Sequence, residues 1–139
     1  MTPPPMILFG LLGAAVARIV ISMLWYSPML FWSTWSRHAG VSKAAMRQGM
    51  GKGFAIHALG SLLMAFVLLH AIFYAGARTV PLALAVSFAN WLGFVAVVHL
   101  QVVSDEKKSF HLFSFYAGYQ LVSMLAMGAI LTVWGIRWT

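Results

Sequence analysis

Apolar residues are concentrated in four long stretches of this chain, separated by shorter and more polar connections. The stretches cover residues 6–26, 53–74, 81–103 and 110–134. A helix needs about 20 mostly apolar residues to cross the hydrocarbon core of a bilayer, and each stretch has this length. The pattern therefore predicts an all-α integral membrane protein, a four-helix transmembrane bundle that forms a single domain over residues 1–139.

Composition excludes a soluble globular domain. Hydrophobic residues make up 62% of the chain and charged residues only 8%, whereas ordinary soluble domains have about 45–50% and about 25%. A soluble chain of this size could not bury so much apolar side chain. The net charge of +7 comes from basic residues spread between the apolar stretches. We therefore expect contact with anionic lipid head groups and no binding of nucleic acid.

Basic residues distinguish the two faces of the predicted bundle. Six lie in the first and third connections and two on the opposite face: Arg37, Lys43, Arg47, Lys52, Lys107 and Lys108 against Arg78 and Arg137. Basic loops favour the cytoplasmic side. Loops 27–52 and 104–109 are therefore predicted to be cytoplasmic, with both termini outside. Two interfacial aromatic belts fit the helix ends: Trp25, Tyr26, Trp32 and Trp35 on one side, and Tyr74, Trp134 and Trp138 on the other.

Two features of the pattern each allow two interpretations. In the connection over residues 28–52, aromatic residues followed by basic ones are typical of a short interfacial helix; an irregular loop is the alternative. Residues 54–63 align without gaps with residues 116–125, sharing an initial aromatic and then Ala, Leu, Ser and Leu. This similarity favours two repeated helical hairpins, as in some transporters, and chance similarity between apolar helices is the alternative.

Arg18 is the strongest functional signal because it lies within the first span. A charged residue at that depth costs about 2.5–3.5 kcal/mol on insertion scales, so it should face the bundle and have a partner. The only acidic residues are Asp105 and Glu106, which are therefore possible ion-pair partners. Arg18 shares one helix face with Gly10, Ala14 and Ser22, whose small side chains allow close helix contact. Structural pairing and contact with an anionic ligand are both open.

Further polar residues in the other spans extend this signal into a predicted layer near the membrane midplane. Together with Arg18, the candidate ligand or pathway residues are Ser61, Asn90, Gln101, Tyr119 and Gln120. Hydrogen bonds that hold the helices together are the simpler explanation, and a polar pocket or pathway is the alternative. His57 and His99 lie at similar depths and could ligate one haem, as a weaker hypothesis. We otherwise expect no metal and no cofactor.

Catalytic motifs are missing from the sequence. The two carboxylates are adjacent and cannot flank a bond as an acid–base pair. The sequence contains no cysteine, no His-Glu-x-x-His run and no Gly-x-Ser-x-Gly motif. We therefore expect that the protein is not an enzyme.

Several short motifs occur in order along nearly the whole chain. Trp-Tyr-Ser-Pro at 25–28 ends the first span, Gly-Lys-Gly stands at 51–53, Asn-Trp-Leu-Gly-Phe at 90–94 and Ala-Gly-Tyr at 117–119. In these motifs and their order, the chain closely resembles the bacterial membrane family catalogued as domain of unknown function 1761. It departs from the family pattern at residues 32–34, where only the final Trp35 of the family's Gly-Lys-Pro-Trp is kept, and at His99 and Gln101 where relatives carry Asn. The resemblance implies four spans in a bacterial inner membrane and assigns no activity.

The leading functional hypothesis is a solute or ion transporter, or a channel-like protein, that forms a homo-oligomer around the polar layer. Its basis is the set of polar residues at the midplane and the possible hairpin repeat. The main alternative is a non-catalytic accessory or scaffold subunit of a larger membrane complex, because the polar residues could serve only to join helices. A membrane anchor that binds haem or quinone is the third hypothesis.

Overall fold

Helices account for nearly all of the structure, a computed structural model that describes residues 4–136. Four of them are long and apolar enough to cross a membrane: Met6–Trp25, Met50–Tyr74, Val80–Asp105 and Phe110–Trp134. The predicted four-helix transmembrane bundle is confirmed. Arg137 and Trp138, which entered the predictions of orientation and aromatic belts, lie outside the described residues.

Eight consecutive segments build the chain. They are α1 (Pro4–Trp25), α2 (Trp32–Ala39), α3 (Lys43–Gln48), α4 (Met50–Tyr74), α5 (Val80–Asn90), a π-helical segment (Trp91–Ala96), α6 (Val97–Asp105) and α7 (Phe110–Trp134). Three of these follow one another without a break, so that α5, the π-helical segment and α6 form one span. We call this span the third span, and we call the side of the bundle with α2 and α3 the loop side.

The helix ends follow from local chemistry. α1 begins at Pro4 because the first turn of a helix tolerates a residue without an N–H group. α4 ends before Gly76, which has φ 69°, a left-handed conformation that glycine adopts without strain. The amide of the next residue, Ala77, then donates to the carbonyl of Ile72 at 3.1 Å. This bond satisfies one of the free carbonyls at the helix end.

α7 is the central helix of the bundle. It buries ten residues, more than any other helix. α1 packs against α7 and α4, and α5 packs against α7. Small residues permit the close approach: a Cβ atom at Gly128 would collide with Ser87 Oγ, and one at Gly10 would lie 3.5 Å from the backbone of Trp134. Direct contact between α4 and α5 is slight by comparison.

The long connection on the loop side contains two short helices, α2 and α3, so an irregular loop is ruled out. α2 is amphipathic and packs on the loop-side half of α7 through Trp35, whose Nε1 donates to the hydroxyl of Tyr116 at 3.1 Å. The Trp35 ring also stacks on Phe115 at 6.2 Å between centroids. Tyr26 packs edge-on against both rings. The aromatic residues predicted for this interface thus form one packed cluster that holds α2 in place.

Candidate functional site

Arg18 lies on the buried face of α1 that the sequence predicted. Gly10, Ala14, Arg18 and Ser22 are all buried, and only 7% of Arg18 is exposed. Their spacing of four residues puts them on one side of the helix. The small residues on this face let α1 approach α7 and α4 closely. The guanidinium therefore lies inside the bundle, between three helices.

Three side chains from two helices contact the guanidinium. Nη1 donates to Ser61 Oγ on α4 at 2.9 Å, and Nη2 donates to Gln120 Oε1 on α7 at 3.3 Å. The Tyr119 ring lies 5.3 Å from the guanidinium carbon, within the range of a cation–π interaction. A guanidinium has five N–H bonds, and its Nε is buried without a hydrogen-bond partner among the described residues. The guanidinium of Arg18 therefore can still donate a further hydrogen bond.

Neither acidic residue pairs with Arg18, so the predicted ion pair with Asp105 or Glu106 is wrong for this structure. Both residues are exposed at the loop-side end of α6. Glu106 instead pairs with Lys108 at 2.8 Å, and this hydrogen bond raises the pKa of the Lys108 ammonium group. The physical reason is position: the Arg18 guanidinium contacts Ser61 and Gln120, well inside their helices, whereas Asp105 and Glu106 lie at the loop-side end of α6. Its charge has no acidic partner within residues 4–136.

Arg18 lines a cavity of about 560 Å³, a volume in the range of small-molecule sites. α4 supplies most of the lining, between Ile56 and Leu68, which corresponds to about 18 Å of helix. The third span and α7 supply the rest: Asn90, Phe94, Val95, Met124 and Met127. The cavity lies between α4 and the third span because these two spans are held mainly by other helices and only slightly by each other.

The lining changes from polar to apolar along the cavity. His57 lies towards the loop side, and its Nδ1 is buried and has no partner among the described residues. Arg18 reaches the cavity at the level of Ser61, to which it donates. His57 precedes Ser61 by one helical turn on the same face of α4. Further along α4, towards the opposite side of the bundle, the lining is apolar and includes Leu63, Met64 and Leu68. The cavity can therefore accommodate a polar group at one end and an apolar body at the other.

Gln101 does not belong to the site, although the sequence placed it with Asn90 in the polar stripe of the third span and among the candidate ligand or pathway residues. Asn90 lines the cavity and donates to the carbonyl of Val86 at 2.9 Å, whereas Gln101 is exposed on α6. In an uninterrupted α-helix, residues eleven apart would share a face. The intervening π-helical segment adds one residue to a turn, which rotates the rest of the helix by roughly 100°.

The two candidate haem ligands lie in different surroundings. His57 lines the cavity. His99 instead stacks on the ring of Tyr116, with centroids 5.8 Å apart, and does not line that cavity. The structure therefore does not bring the two imidazoles into one haem site.

Two tryptophans that sequence reasoning did not assign to the site hold the helices around it. Trp25 Nε1 donates to the carbonyl of Phe115 at 3.2 Å, and Trp91 Nε1 donates to the carbonyl of Ala117 at 2.8 Å. Each bond joins another span to α7 just before the cluster around Tyr119. The signal in the sequence was the indole N–H itself, because a tryptophan within a span needs an acceptor.

One comparison with known proteins identifies the chain. The family model described as a protein of unknown function (DUF1761) matches residues 9–132. The chain belongs to the DUF1761 family. The match covers α1 to nearly the end of α7, so the whole site lies within the family region. No curated protein and no solved structure matches the chain.

Replacing Ser61 tests how much the stability of this family member depends on the hydrogen bond from Arg18 to Ser61. Ser61 is fully buried and accepts from the guanidinium. A hydrogen bond to a charged group contributes about 1.5–3 kcal/mol, so we expect Ser61→Ala to lower the free energy of unfolding by about that amount. The measurement is an unfolding titration in mild detergent, followed by circular dichroism.

Ser123→Ala is the matched control for this change. Ser123 is also a fully buried serine in a span, but its Oγ has no hydrogen-bond partner among the described residues. Removing it should leave stability unchanged or raise it, since an unpaired buried hydroxyl is unfavourable. Equal losses for Ser61→Ala and Ser123→Ala would contradict the role given to the Ser61–Arg18 bond.

Proposed function

We propose that this DUF1761 member is a membrane carrier, not an enzyme, that binds an anionic solute at Arg18 and moves it across the bilayer. One observation carries the proposal: a buried arginine without an acidic partner in the described residues lines a cavity and has an unpartnered Nε. A polar residue within a span is costly, and such residues commonly mark pathways for ions or substrates.

A purely structural role explains this arrangement less well. If Arg18 served only to join α1, α4 and α7, uncharged side chains would do so without the cost of burying a charge. The contacts to Ser61 and Gln120 orient the guanidinium, but neither neutralises it. An anion in the cavity would neutralise the charge and accept a hydrogen bond from the guanidinium.

Flux through proteoliposomes tests the proposal. We expect the wild type to transport one or more monoanions from a panel of chloride, acetate, benzoate and palmitate. Arg18→Gln should reduce this flux about tenfold or more, because it leaves the anion without a charge partner in a region of low dielectric. Arg18→Lys should restore part of it.

Arg78→Gln is the matched control for charge. Arg78 is exposed in the connection between α4 and α5, outside the spans, and its loss lowers the net charge by the same amount. We expect its flux to match the wild type. Flux in the wild type that Arg18→Gln leaves unchanged would overturn the role of Arg18, and no flux of any anion would overturn transport.

The carrier is proposed to act as a homo-oligomer. The cavity lies at the edge of the bundle, between α4 and the third span, so one copy of the chain offers the solute only part of a path. Native mass spectrometry of the protein released from nanodiscs should show one defined multiple of the chain mass. A monomer would contradict the proposal, and co-release with unrelated subunits would favour an accessory subunit instead.

The proposed location is a bacterial inner membrane, with the loop side in the cytoplasm. Arg37, Lys43, Arg47 and Lys52 are all exposed on that side, as the positive-inside rule requires. If the C-terminus is outside, alkaline phosphatase fused to it should be active, and green fluorescent protein fused to it should not fluoresce. Insertions in the exposed turn at Gly40 should give the opposite result. The reversed pattern would contradict this orientation.

A further inference from the structure

We propose that the ligand of the Arg18 cavity is a single-chain monoanionic amphiphile, a long-chain carboxylate of the fatty-acid type, which enters sideways from the bilayer. This inference rests on the proposed function and names the class of its substrate. The head group would bind Arg18, and the hydrocarbon chain would lie along the apolar part of α4.

The direction of entry follows from the rim of the cavity. Ile56 and Leu63 on α4 are 61% and 64% exposed, and Phe94 on the third span is 75% exposed, although all three also line the cavity. In helices that cross a bilayer, exposed residues at this depth face lipid chains. The cavity is therefore open to the hydrocarbon between the two spans.

The charge of the ligand follows from the polar end. Arg18 is more than nine-tenths buried, its Nε lacks a hydrogen-bond partner among the described residues, and no acidic side chain there compensates it. A single carboxylate would supply the missing charge and acceptor together. A head group with two or more negative charges would exceed what one guanidinium can neutralise, so a monoanion fits best.

The hydrocarbon chain of the ligand is inferred from the shape and lining of the cavity. The cavity extends along about 18 Å of α4 from Ile56 to Leu68, and its lining on this helix is apolar over the last part, Leu63, Met64, Val67 and Leu68, which is about 8 Å long. The rest of a longer hydrocarbon chain would continue through the open side of the cavity into the bilayer. Methionines 124 and 127 of α7 line the same cavity, and such flexible side chains adapt to an apolar ligand. A water-soluble anion such as acetate would leave this region unfilled.

Gly60 offers a way to block the cavity without disturbing the fold. It lines the cavity, and a Cβ atom built on it has no other atom within 4 Å. Gly60→Leu should therefore fill part of the space at little cost to the helix. Gly53, two turns earlier on α4, is equally open but does not line the cavity. Gly53→Leu is the matched control, since both changes introduce the same side chain into the same helix.

The experiment measures binding of radiolabelled palmitate to the full chain in phosphatidylcholine nanodiscs, with empty nanodiscs as background. Mildly alkaline pH keeps the carboxyl group ionised. We expect saturable binding of about one palmitate per chain, with affinity about tenfold lower or worse in Arg18→Gln and in Gly60→Leu. Gly53→Leu should bind like the wild type. Unlabelled hexadecanol, which has the same hydrocarbon chain but no negative charge, should not compete with palmitate for binding.

Four results would overturn the inference. If Gly60→Leu binds palmitate as well as the wild type, the hydrocarbon chain of palmitate does not occupy the cavity. If hexadecanol competes as well as palmitate, Arg18 does not recognise the head group. If acetate competes as well as palmitate and its transport depends on Arg18, the hydrocarbon chain of the ligand does not contribute to binding. In that case the proposed ligand class is wrong, but the carrier function stands. Absence of both palmitate binding and anion flux would overturn both.

Discussion

The charge of Arg18 in the apolar interior is the constraint on which the arrangement of α1, α4 and α7 depends. An arginine within a span is unfavourable unless nearby polar groups orient and stabilise it. Here α4 contributes Ser61, and α7 contributes Gln120 and the ring of Tyr119. The Tyr119 hydroxyl also lies 3.5 Å from the carbonyl of Arg18, to which it donates. These contacts come from separate helices, so the three helices must keep their relative positions for the charge to remain stabilised.

α7 allows this arrangement because the other helices use it as a common surface. Two indole N–H groups, from Trp25 and Trp91, donate to its carbonyls, and Gly128 brings α5 close to it through Ser87. α4 is held mainly by α1. Two spans that are each fixed to other partners have little contact with one another, and the cavity occupies the space between them. The gap is thus a consequence of the packing around α7.

The π-helical segment determines what that gap contains. It follows Asn90 directly and ends before Val97. Its wider turn keeps Asn90 and Phe94 on the cavity and turns Gln101 away from it. Such segments are frequently found at functional sites. The result is a cavity with three polar side chains, Arg18, His57 and Asn90, and otherwise apolar walls, a composition that suits an amphipathic ligand.

The sequence by itself determined the four spans and predicted the depth of each polar residue. Depth follows from counting residues at a constant rise per residue, and on this basis Ser61, Tyr119 and Gln120 were predicted at the depth of Arg18. In the structure these three side chains contact the guanidinium. The tertiary structure alone decided which way each residue faces. It excluded Gln101, since a π-helical turn changes the helix register without a clear signal in composition, and it separated Arg18 from Glu106. Facing direction depends on contacts between residues far apart in the chain, which a helical repeat does not encode.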